Sequence, residues 1–149
     1  MQEINVFSLR MGRERSVEYD VSGIRISSPD ILHELLDEVY ELGSLPEEIF
    51  VIICLDTKNQ VIGTFKVSQG SLNASIVHPR EVFKRALISN AGSIILAHNH
   101  PSGDTAPSKE DIDVTDRLVE AGELLGIRVL DHIIVGHTRY LSFKEKRLI

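Results

Sequence analysis

The sequence has little cysteine. Among its 149 residues, Cys54 is the single cysteine. One cysteine excludes an internal disulfide, and it also excludes a cysteine-rich zinc site. Because Cys54 lies in the apolar run FVIICL, we expect its thiol to be buried and unreactive.

Long apolar runs and excess positive charge are missing too. No run approaches the roughly 20 residues that a membrane-spanning helix requires, and the N-terminal stretch MQEINVFSLRMGRER has no apolar core of the signal-peptide type. We therefore expect a cytoplasmic protein without membrane contact. The formal net charge is −6. Because nucleic acids are negatively charged, this charge argues against nucleic-acid binding by this chain alone.

The chain is long enough for one domain with a single core. Residues 1–28 are predicted as an N-terminal extension, with short edge strands around Ile4–Leu9 and Gly23–Ile26. The domain itself is predicted over residues 29–149. We expect a single α/β domain with a mixed central sheet flanked by helices, because helical and strand patterns alternate along it.

The element pattern is clearest where turn residues bound apolar runs. Pro29 stands at the first position of a helix that Gly43 ends, and Gly126 closes a long helix that Pro107 and Ser108 begin. The predicted helices cover residues 29–42, 79–87 and 107–125, and the predicted strands cover residues 50–55, 61–67, 70–77, 93–97, 127–135 and 139–143.

Two histidines end one buried strand, in the stretch ILAHNHPSGDTAPSKEDID. His98 and His100 are spaced i, i+2, so on an extended backbone their side chains point the same way. Two imidazoles can then bind one metal ion, and catalytic zinc commonly takes a third protein ligand. Asp104 and Asp111 are the nearby acids. We favour Asp111, because the ten-residue loop can fold back and a helix N-terminus stabilises a carboxylate.

A purely structural role also fits Ser108 and Asp111. The two residues have the spacing of a helix cap and an acid at the third helical position, which would account for Asp111 without any metal. The remaining histidines lack the i, i+2 spacing and are expected at a helix surface, a helix entry, a strand and a turn; they are His33, His78, His132 and His137.

The spacing His98-x-His100-Pro101-x6-Ser108-x2-Asp111 resembles the JAMM motif of JAB/MPN metallopeptidases. The segments AHNHPSGD, VHPREVF and DHIIVG are similar to the RadC-like branch of that superfamily, and the similarity covers about residues 28–149. The resemblance implies a JAB/MPN fold related to cytidine deaminases. It also implies one zinc ion per chain, held by His98, His100 and Asp111.

The resemblance further implies two catalytic residues. A glutamate just before the first central strand serves such enzymes as general acid/base, and Glu48 stands at that position. Glu47 is the adjacent alternative. Ser108 matches the motif serine, which helps to bind the oxyanion. Zinc would lower the pKa of its water to about 7, and Glu48 would carry the proton from this water to the leaving amine.

The expected function is therefore that of a zinc-dependent peptidase or isopeptidase acting on a peptide or protein. The alternative is a non-catalytic RadC-like module in DNA repair, recombination or mobile-element functions. RadC proteins usually carry a helix-hairpin-helix region, and residues 1–28 are too short for one. A zinc deaminase would need a cysteine pair, and the acidic charge disfavours a nuclease. Imidazole and carboxylate ligands also admit iron, nickel or manganese. The apolar residues of the first helix leave a homodimer open.

Overall fold

The computed structural model describes residues 1–19, 28–70 and 77–149. Its helices are α1 (Pro29–Tyr40), α2 (Pro79–Ile88) and α3 (Lys109–Leu125), and a short 3-10 helix covers Leu42–Ser44. Its strands are β1 (Ile49–Leu55), β2 (Val61–Gln69), β3 (Ser93–Asn99), β4 (Arg128–Val135) and β5 (Tyr140–Ser142).

The five strands form one mixed sheet in the order β2-β1-β3-β4-β5. β3 pairs antiparallel with β1 and parallel with β4, while the outer pairs are antiparallel. Short turns suffice for the antiparallel neighbours β1 and β2, whereas the parallel step from β3 to β4 requires the crossover through α3.

Helices cover both faces of this sheet. Alternate residues of β1 and β3 point to opposite faces. One face packs on α1, through Leu32, Leu35 and Leu36. The other face packs on α2 and α3, and both of the core strands are fully buried, which explains their continuous apolar sequences. Cys54 is buried on this second face, and burial raises the pKa of its thiol.

The predicted α/β architecture with a mixed sheet is confirmed. The predicted strand over Ile4–Leu9 is wrong: these residues form no regular element, and apolar side chains such as Phe7 are exposed. Alternating apolar residues make a strand only where a neighbouring strand supplies hydrogen bonds. The segments predicted as strands at 23–26 and over most of 70–77 lie outside the described residues, and the boundary between 28 and 29 stays a prediction.

The apolar face of α1 lies against the sheet. The apolar residues of α1 that left a homodimer open are used in the core, so that argument for a dimer no longer applies. Among the described residues, no helix combines the length and the apolar character needed to cross a membrane.

Candidate metal centre

Two histidines stand at the end of the central strand. His98 is the second-last residue of β3, and His100 follows the strand directly. His98 is 1% exposed, and the side chain of His100 is 14% exposed. Their Nε2 atoms lie 3.1 Å apart. The i, i+2 spacing thus brings both imidazoles to one point, as the sequence predicts.

Asp111, in the first turn of α3, is the third group of the cluster. Its Oδ1 lies 3.2 Å from His98 Nε2, and its Oδ2 lies 3.1 Å from His100 Nε2. The backbone N–H of Ser108 donates to Oδ2 at 2.8 Å, and the N–H of Asp111 donates to Ser108 Oγ at 3.0 Å. This reciprocal pair is a capping box. Asp111 therefore caps its helix and faces the histidines at once.

The three donors fit a zinc ion. Tetrahedral ligands about 2.0–2.1 Å from zinc lie roughly 3.3 Å from one another, which is close to the 3.1 and 3.2 Å between these atoms. Two imidazoles and one carboxylate also leave one tetrahedral position for water. Among the described residues, His98, His100 and Asp111 are the group that could hold a metal ion.

The loop after β3 sets the protonation of His100. The Nδ1–H of His100 donates to the carbonyl oxygen of Asp104 at 2.7 Å. In the neutral ring the lone pair is then on Nε2, which faces the cluster, and metal-binding histidines commonly have such a second partner. The carboxylate of Asp104 instead accepts from the N–H of Ala106. Of the two candidate acids, only Asp111 brings its carboxylate to the histidines.

The cluster is electrostatically coupled. The hydrogen bond to Asp111 is the largest cause that raises the pKa of His100; burial opposes it, and the charge of Glu48 adds to it. Burial by itself would raise the pKa of Asp111. Hydrogen bonds from His100 and His98 outweigh burial and hold that pKa well below its usual range. Asp111 is therefore ionised near neutral pH, as a metal ligand must be.

The two candidate glutamates differ in exposure and in their surroundings. In the β1–β3 register Phe50 pairs with His98, so Glu48 comes opposite His100 when that register is continued by two residues. Glu48 is half-buried, and its charge acts on the pKa of His100. Glu47 is exposed and accepts from Gln69 Nε2 at 2.9 Å. Of the two glutamates, Glu48 is thus the one whose charge acts on the cluster, and its acid/base role stays a prediction.

Ser108 is exposed just before α3. Its Oγ accepts the N–H of Asp111, as the capping pattern predicts. That bond uses an oxygen lone pair and leaves the O–H proton for another acceptor. The oxyanion role of Ser108 stays a prediction.

His132 is a site residue that the spacing did not reveal. It is fully buried in β4, and its Nε2 lies 2.7 Å from His98 Nδ1. The signal in the sequence is an imidazole inside the mainly apolar strand segment LDHIIV, because a buried polar group needs a partner. The other three histidines lie apart: His33 is 3.6 Å from Asp37 Oδ2, His78 precedes α2, and His137 Nδ1 is 3.4 Å from the Gly43 carbonyl.

Comparison with known proteins identifies the family of this chain. The family model described as "RadC-like JAB domain" matches residues 26–148. The chain belongs to the RadC-like JAB domain family. This JAB domain is 51% identical over 144 residues to a UPF0758 protein of Alkaliphilus oremlandii, which covers 97% of the chain and 61% of that protein.

Other relatives give the same picture. The JAB domain is 53% identical over 142 residues to a UPF0758 protein of Alkaliphilus metalliredigens, which covers 95% of the chain and 60% of the relative. It is 60% identical over 125 residues to a UPF0758 protein of Methanosarcina barkeri, with 84% and 54% covered. The chain therefore spans about three-fifths of the length of the first of these relatives.

Proposed function

We propose that this JAB domain is a zinc-dependent hydrolase that cleaves an amide bond in a peptide or protein, as peptidases and isopeptidases do. The observation that carries the proposal is the convergence of three donors, His98 Nε2, His100 Nε2 and the Asp111 carboxylate. The β1–β3 register, continued by two residues, would bring Glu48 opposite His100 at the same edge of the sheet. A capping box alone explains Asp111, but it does not explain two imidazoles against one carboxylate.

The residues divide the work as follows. Zinc, when bound, supplies a Lewis acid that makes water nucleophilic near neutral pH. Glu48 accepts the proton of the attacking water and returns it to the leaving amine. The hydroxyl of Ser108 donates to the carbonyl oxygen as negative charge develops there. His98 and His100 would bind the zinc through Nε2, because their Nδ1 atoms have hydrogen-bond partners inside the protein.

Metal content is the first test. We expect the purified chain to hold one zinc ion by elemental mass spectrometry, and we expect His100→Ala and Asp111→Ala to lose it. The matched control is His33→Ala, which removes an imidazole on α1 and should keep the zinc. A native chain that takes up no zinc, even when zinc is supplied, would overturn the proposal, whereas iron, nickel or manganese in its place would correct the metal alone.

Hydrolysis is the second test, with the two neighbouring glutamates as a pair. A set of peptide and isopeptide-linked substrates is screened with the zinc-loaded native chain. We expect Glu48→Gln to lower kcat by at least about 100-fold, the scale of a general acid/base, and Glu47→Gln to stay near native. Zinc content should be unchanged in both. Zinc binding without any turnover would favour the alternative of a non-catalytic module.

A further inference from the structure

A buried chain of hydrogen bonds runs behind the metal centre, from His98 through His132 and Thr115 to Asp111. His98 Nδ1 lies 2.7 Å from His132 Nε2. His132 Nδ1 lies 2.6 Å from Thr115 Oγ1, and Thr115 Oγ1 lies 2.7 Å from the carbonyl oxygen of Asp111. All four residues are buried, and His132 is 0% exposed. This series of hydrogen bonds begins at His98 and ends at Asp111, and both are residues of the proposed metal site.

The donor and the acceptor of every hydrogen bond in this series follow from the last bond, which joins Thr115 to the carbonyl oxygen of Asp111. A carbonyl oxygen can only accept, so the Thr115 hydroxyl donates to Asp111. The same hydroxyl has one proton, so it must accept from the Nδ1–H of His132. The neutral ring of His132 then has its lone pair on Nε2, and that lone pair accepts the Nδ1–H of His98. His98 therefore keeps a proton on Nδ1, and its Nε2, the atom that faces His100 and Asp111, is the ring nitrogen that a metal ion would bind.

The surroundings of His132 keep this arrangement in place. The His132 ring stacks on Phe143, with centroids 4.6 Å apart and an interplanar angle of 24°, and it meets Phe50 edge-on at 5.5 Å. If the imidazole ring of His132 were turned by a half rotation, a carbon atom would face the Nδ1–H of His98 in place of Nε2. Reversing the bonds would leave a buried group unpaired, which is costly in an apolar environment.

We propose that Thr115 and His132 are positioning residues that set the tautomer of His98, so that its Nε2 is the metal-binding atom before any metal arrives. The consequence of this inference, tighter metal binding, rests on the proposed function. The arrangement of protons does not rest on it, because the hydrogen bonds that define this arrangement are present without a metal.

The tautomers can be read directly by nitrogen-15 NMR of the histidine rings. In the metal-free native chain we expect His132 to be protonated at Nδ1 and not at Nε2. With zinc we expect His98 to keep a proton on Nδ1, and we expect both ring protons to exchange slowly because the rings are buried. A proton on Nε2 of His132 in the native chain would overturn the proposal without involving any variant.

Zinc affinity tests the consequence. Thr115→Val keeps the side-chain shape and removes the hydroxyl; we expect zinc binding about 10- to 100-fold weaker, the usual range for such outer partners, together with loss of the His132 Nδ1–H signal. Thr115→Ser restores the hydroxyl and should recover both. Thr64→Val is the matched control, because Thr64 Oγ1 also donates to a carbonyl, that of Ile52, and lies 3.0 Å from Tyr40 Oη. It should leave zinc affinity unchanged.

The outcomes separate this inference from the proposed function. No zinc in the native chain defeats the proposed function, and the metal-free spectrum still decides the tautomer of His132. Native zinc affinity in a folded Thr115→Val defeats the inference alone. If Thr115→Val does not fold, His132→Gln and His132→Leu replace it: the Gln amide oxygen can accept from His98, so Gln should bind zinc more tightly than Leu. Equal binding by the two would contradict the proposal.

Discussion

Among single residues, Asn99 holds the segment that carries Glu48. It is 1% exposed at the end of β3. Its Oδ1 accepts from the N–H of Ile49 at 2.7 Å, and its Nδ2 donates to the carbonyl of Glu47 at 2.9 Å. Both neighbours of Glu48 are thereby tied to the strand of the metal centre. Asn99 lies between the two histidines in sequence and points to the opposite face.

Replacing this amide by a carboxylate of the same size should be costly. Asn99→Asp loses the donor to the Glu47 carbonyl and buries a charge beside it, so we expect about 2–4 kcal/mol less free energy of unfolding, measured with urea at neutral pH. Asn59→Asp makes the same change at an exposed turn residue and should be nearly neutral. Equal unfolding midpoints for the two variants would contradict this role of Asn99.

Among elements, the loop after β3 and the turn after β4 are fitted to each other by two glycines. Gly103 has a φ of +85°, and a Cβ there would lie 2.4 Å from the ring of His137. A Cβ on Gly136 would lie 2.6 Å from the carbonyl oxygen of Gly103. The N–H of His100 also donates to the carbonyl of Val135 at 2.9 Å. The loop after β3, which begins at His100, thus takes its shape from contact with the neighbouring strands β4 and β5.

A methyl group at this contact should disturb both stability and the metal site. We expect Gly136→Ala to cost about 2 kcal/mol or more, because backbone must move to admit it, and to weaken zinc binding by displacing His100. Gly63→Ala is the control in β2, where nothing lies within 4 Å of the added Cβ. Thermal unfolding and zinc competition compare the two. A Gly136→Ala protein as stable as Gly63→Ala would show that the loop adapts freely.

For the whole molecule, the three tyrosines of the chain offer an independent check on the fold. A hydrogen bond to Asp30 is the first cause that raises the pKa of Tyr140, to about 12. Burial is the first cause that raises the pKa of Tyr40 and of Tyr19. Tyr140 links β5 to the start of α1, so its titration reports on how the ends of the domain meet.

The pH dependence follows from the direction of these shifts. A raised pKa means that the folded protein favours the neutral phenol, so the stabilisation is complete below the unfolded value of about 10. It is lost as the pH rises from there through about 12 for Tyr140. We expect tyrosinate absorbance to rise late, with the last step missing in Tyr140→Phe. Titration of all three groups together near the unfolded value would contradict the Asp30 contact.

The sequence by itself determined most elements of the fold and the local placement of the three candidate metal ligands, while the tertiary structure brought Asp111, and not Asp104, to the two histidines. The i, i+2 spacing of His98 and His100 has one geometric outcome on a strand, and the capping pattern at Ser108 places Asp111 in the first turn of a helix. Local rules of this kind need no knowledge of distant parts of the chain. The ends of the elements were predicted less accurately. The first helix was predicted to reach residue 42, but Glu41 takes a left-handed φ of 52° after α1, and Leu42 begins a separate 3-10 helix.

Only the tertiary structure decided that His132 lies behind His98. The pairing of β3 with β4 shifts between Ile94 and Ile95, so that Val129 and Asp131 pair with consecutive residues. This irregularity exchanges the two faces of β4 beyond Leu130, which packs toward α1, and it turns His132 toward α3. Simple alternation along β4 would place His132 on the opposite face of the sheet, toward α1. The register of two parallel strands depends on contacts across the whole sheet, and no local pattern in the sequence encodes it.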